Sequence, residues 1–148
     1  MLFKCPHCQK LNRLPTERLS ENPNCGACHK SLLAGPIEAD QVSFQEILKT
    51  SKLPIIVDFW APWCGQCKQL NPILEQVEAE WGDKVKFVKI DASEADGVGA
   101  RYYVSLLPTV LLFTAEGKLA KRLTGLNTKA VLNKNIQETL DNKLDDLY

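Results

Sequence analysis

The sequence has no excess of charge of either sign and no long apolar run. Its 18 Lys and Arg residues balance 18 Asp and Glu residues, so no overall field favours nucleic acid or an anionic membrane as the main partner. No apolar stretch reaches the roughly 18 residues of a membrane span, and the first residues lack the apolar core of a secretory signal. We therefore expect a soluble, cytoplasmic monomer with no membrane or nucleic-acid partner.

Cysteine is the residue that stands out in this composition. All six cysteines of the 148-residue chain fall into three Cys-x-x-Cys pairs, at positions 5 and 8, 25 and 28, and 64 and 67. A secreted disulfide framework is one interpretation of six cysteines. The missing signal and the strict pairing favour metal or redox roles instead.

Two modules are predicted from the composition along the chain. Residues 1–34 contain few large apolar side chains, and a segment below about 40 residues seldom folds on hydrophobic burial alone, so a metal cross-link is expected there. Residues 34–36, Ala-Gly-Pro, break regular structure and indicate a linker. We therefore predict a zinc-binding module at 1–34 and a second domain at 35–148.

The first two cysteine pairs have the spacing of a structural zinc site. Sixteen residues separate them, which suits four thiolates around one Zn²⁺, and each pair resembles a zinc-ribbon knuckle. Pro or Gly stands between the ligands, where the backbone must turn tightly around the ion. Two additional redox disulfides are the alternative. Because four cysteines already fill a tetrahedral site, His7 and His29 are expected at the surface; the predicted ligands are Cys5, Cys8, Cys25 and Cys28.

From residue 37 apolar runs alternate with amphipathic stretches, which predicts an α/β domain. The run from Leu53 to Trp60 is apolar almost throughout, as in a central strand covered on both faces. After a possible first strand near Ile37, further strands are predicted at 85–90, 109–114 and 119–124, with a hairpin turn at 115–118. A short helix is predicted at 95–103.

Three longer helices are predicted from caps and periodicity. Ser43 and Glu46 form a capping-box pattern that opens the first helix. The second helix follows the central strand and contains Pro72, which should kink it. Asn127 is a plausible cap for the last helix. The predicted inward-facing residues are Leu70, Ile73, Leu74, Val77 and Trp81 in the second helix and Val131, Leu132, Ile136 and Leu140 in the last.

The third cysteine pair has the setting of a redox site. It directly follows the apolar strand and opens a helix, where free backbone N–H groups and the helix dipole stabilise an anion. Cys64 is therefore the predicted nucleophile. Cys67, one turn further on, is placed to attack a mixed disulfide at Cys64.

At these residues the sequence resembles the thioredoxin family. The matching residues run from Val57 to Lys68 around Trp-Cys-Gly-Gln-Cys-Lys, then include Pro72, Lys89-Ile90-Asp91, Pro108-Thr109, Gly117 and Gly125. The resemblance covers roughly residues 37–143 and implies a thioredoxin fold, a central mixed sheet flanked by helices. With a four-cysteine module in front, the chain is similar to the bacterial, zinc-containing thioredoxin 2 type.

The resemblance assigns roles to further residues. Asp58, a carboxylate within a buried strand, would have a raised pKa and assist deprotonation of Cys67; a polar residue on a wet strand face is the alternative. Pro108 would be cis and leave neighbouring backbone free to pair with a client segment. Trp63 would cover the rim of the site and Gly125 would line the client groove, although a core aromatic and a plain turn glycine would look the same in sequence.

These observations predict a protein-disulfide reductase that uses a reversible Cys64/Cys67 dithiol. The resemblance implies disulfide-containing client proteins and a flavin-dependent, NADPH-using thioredoxin reductase as partners. A zinc-ribbon client-binding or holdase protein and a thiol oxidase or isomerase are the alternatives. The zinc is predicted to be structural, or released on oxidation.

One departure from the family pattern lies between the two redox cysteines. Thioredoxins normally have Gly-Pro there, and this chain has Gly65-Gln66. Gln66 restores a backbone N–H that could stabilise the Cys64 thiolate. A couple somewhat more oxidising than that of a Gly-Pro thioredoxin is expected.

Overall fold

The computed structural model describes residues 2–5, 7–15, 18, 23–30, 32, 37–82, 84–93 and 102–141. Strands and helices alternate through most of these residues, as the hydrophobic pattern predicts. In chain order the elements are β1 Leu2–Lys4, β2 Leu11–Arg13, β3 Ile37–Glu38, α1 Gln41–Thr50, β4 Ile55–Trp60, α2 Gly65–Trp81, β5 Lys86–Asp91, β6 Thr109–Phe113, β7 Leu119–Thr124 and α3 Lys129–Leu140.

The main sheet is mixed and has the strand order β3-β5-β4-β6-β7. β5 pairs in parallel with both β3 and β4, whereas β6 is antiparallel to β4 and β7. The strand at 55–60 is central, as predicted from its continuous apolar run, and the predicted mixed sheet flanked by helices is confirmed. β1 and β2 form a separate antiparallel pair in the N-terminal module.

α2 and α3 cover one face of the main sheet. Side chains alternate along a strand, so Ile56 of β4 points to this face, as do Phe87 of β5 and Val110 of β6. They pack in one buried cluster with Leu70, Leu74 and Val77 of α2 and Leu132 and Ile136 of α3.

The other face of the sheet is covered by α1 and by the N-terminal module together. Val57 and Phe59 of β4 belong to a cluster that also includes Phe44 of α1. The same cluster continues into the N-terminal module through four of its buried residues, Cys5, Leu14, Cys25 and Leu32. The module therefore packs on the sheet, and an ion pair of 3.3 Å between Lys4 and Glu38 lies at the junction.

Two helices begin at residues other than the predicted ones. α1 starts one turn before the predicted capping box because Asp40 is its N-cap: Ser43 N–H donates to the Asp40 carboxylate, and Asp40 N–H donates to Ser43 Oγ, both at 2.9 Å. Ser43 is thus the third helical residue. α3 is capped by Thr128, and Asn127 instead donates to the carbonyls of Thr124 and Gly125.

Some predicted side-chain positions are also corrected. Val131 is 38% exposed, while Thr139 is buried, because Leu132, Ile136 and Thr139 share one face of α3 at i, i+4 and i+7 and Val131 lies to the side of it. The strand predicted at 85–90 lies one residue later, at Lys86–Asp91. The linker at 34–36 and most of the helix predicted at 95–103 lie outside the described residues. None of the described helices is both long enough and apolar enough to cross a bilayer.

Candidate functional site

Cys64 and Cys67 form a disulfide at the start of α2, with 5.3 Å between their Cα atoms. Cys64 is the N-cap and has extended backbone angles, whereas Cys67 lies within the first helical turn. Both sulfurs lie in a small buried cluster with Ala61, and Trp60 and Leu107 pack against it. The strand-to-helix junction therefore places the two predicted redox residues within bonding distance.

The N-terminal end of α2 gives Cys64 an environment that favours negative charge. The Cys67 N–H donates to Cys64 Sγ at 3.2 Å, and the positive end of the helix dipole points at the same atom. In the reduced protein these interactions stabilise a thiolate over a thiol at Cys64. Cys64 is 7% exposed and Cys67 only 2%, so the first sulfur is the more accessible to a client.

Asp58 lies in the middle of β4, on the sheet face covered by α2. It is 4% exposed, and neither carboxylate oxygen has a hydrogen-bond partner in the described part of the chain. Burial raises the pKa of this carboxyl from the ordinary 3.8 to about 6, although the nearby Lys89 cation acts in the opposite direction. A carboxyl that titrates near neutral pH exchanges a proton readily.

The predicted client-binding residues surround the disulfide. Trp63 is 73% exposed, immediately before Cys64. The Leu107–Pro108 peptide bond is cis, and Pro108 accepts a hydrogen bond of 2.8 Å from Gly125 N–H. Because Leu107 packs against the cysteine cluster, this bond brings the Gly125 loop to the same rim. Gly125 has φ +77°, a left-handed conformation in which a side chain is strained.

Two leucines that the sequence analysis did not single out extend this apolar rim. Leu106 is 62% exposed and precedes the cis bond by one residue, and Leu126 is 44% exposed and follows Gly125. In the sequence, each is only an apolar residue close to a Pro or Gly that forms a turn. That pattern does not indicate an exposed position unless the fold is known. With Trp63 the two leucines are exposed apolar side chains on the segments that carry the disulfide, the cis bond and Gly125.

The four remaining cysteines come together in two similar turns. In the first, Cys5 N–H donates to Lys10 O and Gln9 N–H donates to Cys5 O; in the second, Cys25 and His29 repeat both bonds, with Lys30 as acceptor. The residue after each second cysteine, Gln9 or His29, has positive φ. The predicted turn inside each pair is confirmed at residues 7–8 and 26–28, and a left-handed residue follows directly after the pair.

The sulfur atoms of these cysteines have the arrangement of a tetrahedral metal site. All four lie within 4.8 Å of one another, and the pairs Cys5–Cys28 and Cys8–Cys25 are separated by 3.6 and 3.7 Å. Zn–S bonds of about 2.3 Å in a tetrahedron place sulfurs about 3.8 Å apart. These residues therefore fit a metal ion of the size and coordination preference of zinc.

N–H groups also donate hydrogen bonds to the sulfurs, and such bonds favour the negative charge that binds a cation. Cys5 Sγ accepts from the N–H groups of His7 and Cys8, at 3.4 and 3.5 Å. Cys25 Sγ accepts from Ala27 N–H and from the Asn12 side-chain amide, both at 3.4 Å. Hydrogen bonds from the backbone of Cys28 and from Asn12 lower the pKa of Cys25 to about 5, whereas burial and the other three sulfurs raise the pKa of Cys8 to about 11.

Asn12 is a residue of this site that the sequence does not indicate. Besides its bond to Cys25 Sγ, its amide donates to Lys10 O at 3.1 Å, and its carbonyl accepts from Gly26 N–H at 2.9 Å. One side chain therefore ties the two cysteine turns together. An asparagine in a short strand carries no such signal by itself, because the contact depends on how the turns pack.

Two family models match separate parts of the chain. The model described as Thioredoxin matches residues 35–138, and the model described as Thioredoxin 2, N-terminal, a zinc ribbon, matches residues 4–30. The first match contains the disulfide and Asp58. The second contains all four clustered cysteines.

Curated relatives and solved structures agree with these matches. Thioredoxin C-3 of Corynebacterium nephridii is 37% identical over 145 residues, which are 97% of this chain and 96% of the relative. Thioredoxin of Bacillus subtilis is 36% identical over 104 residues, 70% of this chain and 97% of the relative. The crystal structure of oxidized mitochondrial thioredoxin 3 from Saccharomyces cerevisiae superposes with a TM-score of 0.62 at 28% identity, covering 68% of this chain and 92% of that one.

Proposed function

The chain belongs to the thioredoxin family and is a protein-disulfide reductase, and we propose that Cys64 is its attacking nucleophile and Cys67 its resolving thiol. The observation that carries this assignment is the Cys64–Cys67 disulfide at the N-terminus of α2, where the helix favours a thiolate at Cys64. The greater exposure of Cys64 supports the same order of attack.

The reaction proceeds in two exchange steps. The Cys64 thiolate attacks one sulfur of a client disulfide and forms a mixed disulfide, while the other client sulfur leaves as a thiolate and takes a proton from solvent. Asp58 then accepts the proton of the Cys67 thiol, and the Cys67 thiolate attacks Cys64 Sγ. The second client thiolate leaves. The client has gained two electrons, and the enzyme holds the Cys64–Cys67 disulfide.

Trp63, Pro108 and Gly125 contact the client in this proposal. Their position near the disulfide, with the exposed Leu106 and Leu126, supports binding of an extended segment at this rim.

The partners are disulfide-containing proteins, and an NADPH-dependent thioredoxin reductase returns two electrons to the disulfide. A dithiol that must be returned to its reduced form and cysteines kept reduced as metal ligands both require a reducing compartment, so we place the protein in the cytoplasm.

We further propose that Cys5, Cys8, Cys25 and Cys28 hold one Zn²⁺. The sulfur distances and the N–H donors support four thiolate ligands. Zinc supplies a cross-link between the two cysteine turns, and the redox steps do not pass through it. Residues 1–34 are the zinc-binding module and residues 35–148 the redox domain in this proposal; the family matches lie on either side of that boundary.

Insulin reduction with single cysteine variants tests the proposed roles. Cys64→Ser should lose all turnover, whereas Cys67→Ser should accumulate a mixed disulfide between Cys64 and insulin that is detectable by mass spectrometry. Full activity of Cys64→Ser, or a mixed disulfide at Cys67 instead, would overturn the assignment. Client binding by Cys64→Ser together with no turnover by the parent would favour a holdase.

A further inference from the structure

A cavity of about 120 Å³ lies between the main sheet and α2. Its wall includes an unusual number of polar side chains for a space next to a hydrophobic core. They are Asp58 of β4, Lys89 of β5, and Asn71, Glu75 and Glu78 of α2. The proposed mechanism uses Asp58 and leaves the other four without a role.

The side chains that line this cavity determine the electrostatic environment of the Asp58 carboxylate. Both its oxygens are buried, and no group in the described part of the chain donates a hydrogen bond to them. Lys89 faces it from the paired position on β5, and Val110, which cannot titrate, pairs with it on β6. Glu75 and Glu78 face the same cavity from α2, where Cys67 lies about two and three turns nearer the helix start, respectively.

Lys89 is held in this cavity by neutral partners. Its ammonium donates to the side-chain carbonyl of Asn71 at 3.3 Å, and it lies 5.3 Å from the centre of the Trp60 ring. An amide acceptor satisfies a donor of the ammonium without cancelling its charge. A carboxylate at the same position would form an ion pair and reduce the field of Lys89 at Asp58.

We propose that Asn71 is a positioning residue: it fixes the Lys89 ammonium in the cavity at the position where it faces Asp58. In this role the side chain of Asn71 acts through Lys89 and takes no part in the exchange steps. The proposal rests on the proposed function of Asp58 as the proton acceptor for Cys67.

The alternative partners of Lys89 explain why such a residue is needed. A lysine side chain has four flexible methylene groups, so its ammonium can reach several neighbours. Glu75 and Glu78 are carboxylates in the same cavity wall, and burial followed by repulsion from Glu75 already raises the pKa of Glu78. Without Asn71, Lys89 would pair with these glutamates or extend to solvent, and the carboxylate form of Asp58 would lose its nearest cation.

A carboxyl ¹³C NMR titration of the oxidised protein measures this effect directly at Asp58. Asn71→Ala should raise the pKa of Asp58 by about one, because the stabilising cation is released. Lys89→Met should raise it by a similar amount, and the double variant should match Lys89→Met alone. Asn71→Asp, almost the same size as the parent residue, should raise it at least as much as Asn71→Ala.

Gln69→Asp is the matched control, since it adds a negative charge to an exposed position of the same helix. It should leave the pKa of Asp58 within about 0.3 of the parent value because exposed charges are screened. An unchanged pKa in Asn71→Ala beside a raised one in Lys89→Met would show that Asn71 does not position Lys89. An unchanged pKa in both would show that Lys89 does not act on Asp58; either result overturns the proposal.

The pH dependence of insulin reduction separates this proposal from the mechanism on which it rests. With the Asp58 pKa raised from about 6 to about 7, Asn71→Ala should be about fivefold slower at pH 6, about twofold slower at pH 7 and unchanged near pH 8.5. Asp58→Asn should be slow throughout. If Asp58→Asn instead keeps the parent profile, the role of Asp58 fails, while the NMR titration still decides whether Asn71 positions Lys89.

Discussion

Asp58 is an ionisable residue in surroundings that suit an apolar side chain. It occupies a buried strand position between Val57 and Phe59, and neither oxygen has a hydrogen-bond partner among the described residues. Burying an ionised carboxylate without a partner costs free energy, and the raised pKa expresses that cost. A carboxylate kept there at the expense of stability supports the proposed role in proton transfer.

The sign of the stability effect follows from the direction of the pKa change. The folded-state pKa of about 6 lies above the ordinary value of 3.8, so the folded protein binds the proton more tightly than the unfolded one. The full stability is present below pH 3.8 and is lost as the pH rises through about 6. The loss amounts to about 3 kcal/mol at pH 7, since one pKa unit corresponds to about 1.4 kcal/mol.

Asp58→Asn should therefore stabilise the oxidised protein at pH 7 by about 3 kcal/mol and flatten its stability between pH 4 and 6. Urea unfolding at several pH values measures this change. Asp91→Asn is the matched control, because this partly exposed strand-end side chain accepts bonds from Ser93 that an amide oxygen also accepts; it should change stability by less than about 0.5 kcal/mol. A destabilised Asp58→Asn would contradict the account.

At the scale of elements, the first turn of α2 controls the redox couple. Cys64 is the cap, and Gly65 and Gln66 are the first two helical residues. Backbone N–H groups of the first turn lack intrahelical partners and are available to an anion at the cap. Gln66 supplies one more such group than the proline that thioredoxins normally carry at this position.

Gln66→Pro should make the couple more reducing, by about 30 mV, which corresponds to about 1.4 kcal/mol. Equilibration with glutathione, followed by separation of the oxidised and reduced forms, measures the potential. Gln66→Ala keeps the backbone N–H and should stay within about 10 mV of the parent. A proline variant with an equal or more oxidising potential, or an alanine variant that shifts as far as proline, would count against control by the N–H.

The elements also show what a sequence can and cannot indicate. The continuous apolar run predicted the central strand, and Cys-x-x-Cys after that run predicted the helix cap, because both signals are local. The predicted start of α1 was wrong by one turn. Asp40 and Ser43 are both good capping residues, and only their reciprocal hydrogen bonds decide which of them is the N-cap. Asn12 and Asn71 were missed, and Lys89 was noted only as part of the family pattern, because each acts on an element distant in sequence.

At the scale of the whole molecule, the N-terminal module and Asp58 lie on opposite faces of the main sheet. Buried residues of the module continue the cluster of Val57 and Phe59, whereas Asp58 points to the face beneath α2. No sequence signal predicted this packing, since it depends on contacts between segments that are distant in sequence. The module is thus part of the cover of the core, and its folding supports the redox domain.

Removal of zinc should therefore lower the melting temperature of the whole chain. A loss of about 2 kcal/mol would lower Tm by roughly 5–8 °C for a chain of this length. Calorimetry with and without a chelator measures the change, and the chelator already saturated with zinc is the control. An unchanged Tm in protein shown by metal analysis to have lost its zinc would mean that the module does not support the sheet.

The central claim is that two kinds of site divide the six cysteines between them. The most direct measurement is native mass spectrometry of the reduced protein after brief alkylation, combined with peptide mapping and zinc analysis. We predict one zinc per chain and alkylation confined to Cys64 and Cys67, with the other four cysteines protected until a chelator is added. Absence of zinc, or alkylation of Cys5, Cys8, Cys25 or Cys28 at the rate of Cys64 in zinc-loaded protein, would contradict the account.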